Sequence, residues 1–217
     1  MERNVEVPST RERLLREAEI LFARKGYHAV SVREITDAAG CNLASVNYHF
    51  GNKENLYVEV FRSRWIERAN RIRMCFEEKI LKGGPPSAES VIRCLAEAFL
   101  EGPLTGEERL LHVQLIVREM IKPTKAYPVI FTSAMKPFME NIARRLRPFL
   151  PPGMGKEDVI LHIFSVFSMV LYFNFARTAI LQLTEIPYDA DFIQTIVSHI
   201  VRFSLHGLGS EEIKGVH

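Results

Sequence analysis

Cysteine is scarce in this sequence: Cys41, Cys75 and Cys94 are the three among 217 residues. An odd number without C-x-x-C spacing excludes a disulfide framework and a cysteine zinc site, and fits the reducing cytoplasm. Neither sign of charge is in excess, since 28 Lys and Arg stand against 26 Asp and Glu. A near-neutral chain has no overall preference for nucleic acid or an acidic partner, so a DNA binder built on it must gather its charge locally. Internal repeats, low-complexity tracts and the apolar core of a signal peptide are missing as well. So are a nucleophile elbow, a P-loop, a dinucleotide fingerprint and an H-E-x-x-H pair, which leaves no reaction centre and argues against an enzyme. Nothing in the residue pattern requires a metal or a cofactor.

What the chain does have is helical periodicity, with no stretch that alternates as a half-buried strand would. Ser9 and Glu12 form an S-x-x-E capping box ahead of an apolar stripe (Leu14, Leu15, Ala18, Leu21, Phe22) that Gly26 ends. Ser31 and Glu34 form a second box before a short helix closed by Gly40, and Asn42 is placed to cap a third, Leu43 to Phe50. A long fourth helix carries Leu56, Val60, Phe61, Trp65, Ala69, Ile72 and Phe76 at three- and four-residue steps. Further helices are predicted near residues 88–100, 107–121, 127–150 (kinked at Pro137), 156–183 and 189–205. The fold class is therefore all-α, about nine helices. The domains are expected to be 1–55, a small helix-turn-helix domain, and 56–217, a larger sensing and dimerisation domain.

Residues 159–176 carry no formal charge and approach the roughly 20 residues that a bilayer span needs. His162, Ser165, Ser168 and Asn174 interrupt them and Arg177 follows at once, so the stretch reads as an interface helix and no membrane partner is expected.

The chemistry gathers in residues 31–53, SVREITDAAGCNLASVNYHFGNK. Two short helices around a glycine turn are the helix-turn-helix design, whose second helix enters the major groove of double-stranded DNA. Ser45 and Asn47 suit base edges, Ala44 offers a methyl contact, and Tyr48 and His49 can donate to phosphate oxygens. Lys53 at the start of the next helix suits a phosphate, and Arg33 on the preceding helix suits a base or the backbone. Taken singly these residues have ordinary explanations: His49 as a packing histidine, Lys53 as a solvated lysine. Arg144, Arg145 and Arg147 read as a solvated helix end.

The string Val46-Asn47-Tyr48-His49-Phe50-Gly51-Asn52-Lys53-Glu54-Asn55-Leu56, with Gly26-Tyr27 and Ser31-Val32-Arg33-Glu34-Ile35 upstream, closely resembles the TetR family of transcription regulators. The likeness covers about residues 9–60. It implies that Arg33, Ala44, Ser45, Asn47, Tyr48, His49 and Lys53 contact DNA. Asn47 departs from the Tyr common at that position, and Cys41 from the usual Val. Val117-Arg118-Glu119-Met120-Ile121-Lys122-Pro123-Thr124 resembles the CecR-like subgroup. The family likeness further implies a homodimer through the last two long helices, a palindromic operator, repression, and release by a small-molecule effector. Two sets of polar residues among apolar ones are candidate effector contacts: His112, Arg118 and Glu119, and His162, Ser165, Ser168 and Tyr172. Each has a plainer reading. Arg118 and Glu119 can be a structural ion pair, and the serine stripe can face a neighbouring helix or a partner subunit.

Overall fold

The computed structural model describes residues 8–208, among which all regular secondary structure is helical. The chain's first seven residues, on which the signal-peptide reading bears, lie outside the described part. Helix α1 (Thr10–Lys25) starts where the Ser9 hydroxyl accepts the Glu12 N–H at 3.2 Å, and it stops at Gly26, whose φ of +83° disfavours any side chain. Helices α2 (Val32–Ala38) and α3 (Ala44–Phe50) flank a turn with Gly40 at φ +60°. The residue that precedes α3 is Leu43, which makes no side-chain cap; Asn42 sits one position earlier, its side chain accepting the Ala44 N–H at 2.9 Å.

Both predicted capping boxes form only by half. Ser31 accepts the Glu34 N–H at 3.1 Å as Ser9 does for Glu12. The two carboxylates are taken elsewhere, Glu12 by Arg64 and Glu34 by Lys25. A cation within reach is a stronger partner than a backbone amide. Reciprocal boxes do form at Ser87 with Ser90 and at Thr105 with Glu108, opening α5 (Ala88–Leu100) and α6 (Gly106–Ile121).

Helix α4 comprises Lys53–Val60, a π-helical turn at Phe61–Trp65, and Ile66–Lys82. Helix α7 is built alike, from Ala126–Ile130, a π-helical turn at Phe131–Met135, and Lys136–Leu146. That turn lies just ahead of Pro137, where the expected kink falls. Proline has no N–H to give and its ring crowds the carbonyl four residues back, so the helix widens there.

Ten helices rather than nine occupy the described residues, because the stretch expected to run unbroken from Lys156 to Leu183 divides into α8 (Lys156–Phe175) and α9 (Arg177–Thr184). The Phe173 carbonyl, which the next helical N–H would use, accepts from the Tyr188 hydroxyl at 2.6 Å. Arg177 turns its guanidinium over the Tyr188 ring at 4.5 Å and donates to the Leu100 carbonyl at 3.2 Å. Helix α10 (Ala190–Leu208) follows.

Packing sorts the helices into two units. Among the described residues, the first holds 8–69 together with Leu104–Ala134, around a core of Leu14, Phe22, Ile35, Val46, Leu56 and Phe61. Residues 56–69 and all of α6 thus pack with the helix-turn-helix. Arg68 forms a buried ion pair with Glu19 of α1 and stands 3.9 Å from Glu108 of α6. The second unit holds Asn70–Pro103 and residues 135–208, around Ile92, Leu95, Val166, Val170, Val197 and Ile200. Inside it the basic run expected to be a solvated face is partly engaged. Arg145 donates to Glu77 and Asn141, and Arg147 to the Met154 carbonyl. Cys94 is buried, Cys41 and Cys75 are half-buried, and all three are free thiols. Burial pushes the Cys75 and Cys94 thiols up from their ordinary value, away from thiolate reactivity.

Candidate nucleic-acid interface

Helix α3 is seven residues long and divides cleanly by face. Val46 and Phe50 point into the core of the first unit, while Ala44, Asn47 and Tyr48 are exposed and Ser45 and His49 flank them half-buried. Tyr48 is 85% exposed. Its ring meets His49 edge-on at 4.9 Å. Arg33 is exposed on α2, with Asp37 at a loose 3.9 Å.

Lys53 is the first residue of α4, whose start is fixed by the Asn52 side chain accepting the Asn55 N–H at 2.8 Å. Its ammonium lies over the Tyr27 ring, 4.4 Å from the centroid. Partial burial lowers the lysine's pKa from its ordinary value. Five of the seven residues expected at DNA therefore share one helix, with Lys53 three positions beyond it and Arg33 one helix before.

The sequence reading missed the groove beside this helix. Arg11, His49, Asn55, Arg62 and Lys125 line a volume of about 500 Å³, walled by Phe50, Val58 and Val129. Arg11 is paired with Glu59 at 2.5 Å and Lys125 with Glu54 at 2.8 Å. These residues come from three distant stretches of chain, so no local pattern announces them. The role of Tyr27 was missed for the same reason, although Gly26-Tyr27 stood out as part of a motif.

The two sets of effector candidates fall in different units, His112, Arg118 and Glu119 in the first and His162, Ser165, Ser168 and Tyr172 in the second. His112 is buried, its ring stacked on Trp65 at 4.4 Å with 4° between the planes, and its Nδ1 has no hydrogen-bond partner among the described residues. Burial, and then the nearby Arg68 charge, lower its pKa to about 3. Arg118 and Glu119 are not an ion pair with each other. Arg118 donates to the Ala23 and Arg24 carbonyls at 3.0 and 2.7 Å, tying down the C-terminal end of α1. Its guanidinium lies 3.0 Å from where a Cβ on Gly26 would stand. Glu119 is fully buried and accepts from Tyr57, the Thr124 N–H and the Thr124 hydroxyl. On α8, Ser165 and Ser168 are exposed and return their hydroxyls to the Leu161 and Phe164 carbonyls, Tyr172 is exposed, and His162 is half-buried.

An all-α chain with a seven-residue reading helix, a glycine turn before it and a lysine opening the next helix has the parts of a helix-turn-helix DNA-binding protein. Comparison with known proteins agrees. The model of the tetR family of bacterial regulatory proteins matches residues 14–60, and that of the C-terminal domain of the HTH-type transcriptional dual regulator CecR matches residues 88–208, more than half of the chain. CecR of Shigella flexneri is 27% identical over 201 residues, 88% of this chain and 89% of the relative. The transcriptional repressor AcnR of Corynebacterium glutamicum is 35% identical over 161 residues, 73% of this chain and 76% of the relative. Among solved structures, the multidrug binding protein EbrR complexed with imidazole superposes with a TM-score of 0.54 at 19% identity, covering 89% of this chain and 96% of that one. The chain belongs to the TetR family of DNA-binding transcription regulators, a family of regulators rather than enzymes. Its C-terminal half makes it a CecR-like member.

Proposed function

We propose that this regulator binds a palindromic operator as a homodimer in the cytoplasm, represses transcription there, and leaves the operator when a small molecule binds. The observation that carries the DNA half of this reading is the exposed face of α3. Tyr48 and His49 supply phosphate contacts, Ala44, Ser45 and Asn47 meet base edges, and Arg33 and Lys53 hold the backbone on either side. Asn47 is the amide best suited to a bidentate contact with adenine.

Dimerisation draws support from the second unit. Leu161, Phe164, Tyr172 and Phe203 stand exposed on α8 and α10. An apolar stripe on the long helices suits a second copy of the same surface, which is self-complementary under two-fold symmetry. This assigns His162, Ser165, Ser168 and Tyr172 to the face between subunits. The effector reading then rests on His112, whose buried Nδ1 lacks a partner among the described residues, and on the likeness to EbrR, a multidrug binding protein. An effector would act only through its different affinities for the DNA-bound and free states. AcnR bears the name of a repressor and CecR that of a dual regulator; repression is the simpler outcome for a dimer seated across a promoter.

Selection of bound sequences from a random duplex pool tests the reading. A palindromic consensus with half-sites one turn apart, about 34 Å, is expected. Absence of enrichment would overturn it, and enrichment of a single asymmetric half-site would overturn the dimer.

A further inference from the structure

Helix α6 reaches the reading head through a buried carboxylate. Glu119 sits near its C-terminal end with no exposed surface, and its Oε1 accepts the Tyr57 hydroxyl at 2.8 Å. The Thr124 N–H and hydroxyl bond the same carboxylate at 3.0 Å, so each oxygen has a donor and the group is locked in one orientation. Tyr57, held this way, is wedged between three rings. Phe22 of α1 meets it edge-on at 4.9 Å, Phe61 at 5.2 Å, and Tyr27 lies tilted against it at 4.9 Å. Tyr27 in turn carries the Lys53 ammonium on its face at 4.4 Å. Burial and then the Glu119 bond push the Tyr57 hydroxyl up from its ordinary value, so it remains a donor throughout the working range.

We propose that Glu119 is a positioning residue for DNA binding: through Tyr57 and Tyr27 it fixes the place of the Lys53 ammonium at the start of α4. The proposal rests on the reading of Lys53 as a phosphate contact. Lysine is a flexible point charge, and a stem left free must be ordered when it meets phosphate. A ring under the ammonium orders it beforehand, by the attraction of a cation for a π face. That ring also meets His28 at 5.1 Å and Phe22 at 6.1 Å, but its nearest ring neighbour is Tyr57, at 4.9 Å, and the Tyr57 hydroxyl is anchored by Glu119. The last turn of α6 therefore sets a DNA contact that lies 66 residues earlier in sequence.

The experiment is a mutant cycle on operator affinity and its salt dependence, using full-length protein and the selected operator. Lys53→Ala should weaken binding and lower the slope of log affinity against log salt by about one per subunit. Tyr57→Phe removes the hydroxyl alone, and Glu119→Gln keeps the shape of the acceptor. Both are expected to weaken operator binding about three- to tenfold in the Lys53 background and to add nothing in the Lys53→Ala background, as coupled sites do. Tyr27→Leu should reproduce the loss, whereas Tyr27→Phe, which keeps the ring face, should retain wild-type affinity. If Lys53→Ala leaves affinity and slope unchanged, the reading of Lys53 fails and the proposal with it. If Lys53→Ala weakens binding but Tyr57→Phe does not, Lys53 stands and the positioning role is overturned. Equal losses in both backgrounds would likewise overturn it, as would a loss with Tyr27→Phe equal to that with Tyr27→Leu. Should Glu119→Gln fail to fold, the Tyr57 and Tyr27 variants carry the same test.

Discussion

The rings of Trp65 and His112 lie parallel, 4.4 Å apart, and the indole N–H donates to the His112 carbonyl at 2.9 Å. One contact surface thus joins the π-helical turn of α4 to the middle of α6. The imidazole is buried, and Arg68 nearby adds a positive charge that disfavours a second one.

This makes His112 a source of acid lability. Its pKa is about 3 in the fold against 6.5 ordinarily, so between those values the unfolded chain holds a proton that the folded one refuses. The stabilising contribution is complete above 6.5 and is lost as pH falls towards 3. At pH 5 the loss is about 2 kcal/mol, from 1.36 kcal/mol per pKa unit. Urea unfolding of wild type and His112→Phe at pH 7 and pH 5 checks this: the gap between the two pH values should shrink by about that amount in the variant, and an unchanged gap would refute the assignment.

Glu19 and Arg68 form the buried ion pair that ties α1 to α4. Removing Glu19 leaves the buried Arg68 with only its looser 3.9 Å contact to Glu108, so Glu19→Leu alone should cost up to about 3–5 kcal/mol. The double variant Glu19→Leu with Arg68→Met should recover much of that loss, because no unpaired charge stays buried. Thermal unfolding of the two variants side by side decides it. Equal melting temperatures would mean that the pair is not what holds this seam.

Tyr48→Ala is expected to weaken operator binding tenfold or more, on the scale of about 1–3 kcal/mol for a well-placed contact, while leaving thermal stability unchanged. The side chain has almost no folded contact to lose, being 85% exposed. Asn47→Ala should change which sequences are recovered from a random pool rather than lower affinity for all of them. Uniform loss across sequences would move Asn47 from reading bases to holding the backbone.

Leu161→Glu and Phe203→Glu place charges on the exposed stripe of α8 and α10. Each should convert a dimer to monomer in sedimentation at micromolar concentration and abolish tight operator binding, with helicity retained. A wild-type protein that sediments as a monomer would remove the basis for the operator symmetry.

Much of this was legible in local pattern. The stripe Leu14, Ala18, Phe22 and the half-buried alternation of α3 follow the 3.6-residue period, and Gly26 and Gly40 stand where a positive φ is needed. Serine caps appeared where they were read, because a cap uses atoms three residues apart. The reading face of α3 was visible too, since a seven-residue helix with Val46 and Phe50 inward leaves Ala44, Asn47 and Tyr48 no other direction.

What escaped that pattern depended on partners far along the chain. Glu12 and Glu34 left their caps because Arg64 and Lys25 came within reach. Arg118 and Glu119, adjacent and of opposite charge, look like a pair in sequence. On a helix neighbours point about 100° apart, so one went to the α1 carbonyls and the other to Tyr57 and Thr124. The break at Ala176 came from Tyr188, 15 residues beyond Phe173. The spacing of apolar residues and glycines was enough to establish an all-α chain with a helix-turn-helix, because helix formation and capping act within a few residues, and the likeness of the Val46–Leu56 string to the TetR family is what implied a regulator. Which buried carboxylate anchors Tyr57, which ring lies under Lys53, and that α6 packs with the reading head were settled by the folded chain alone, because those bonds close loops of tens of residues that no local spacing encodes.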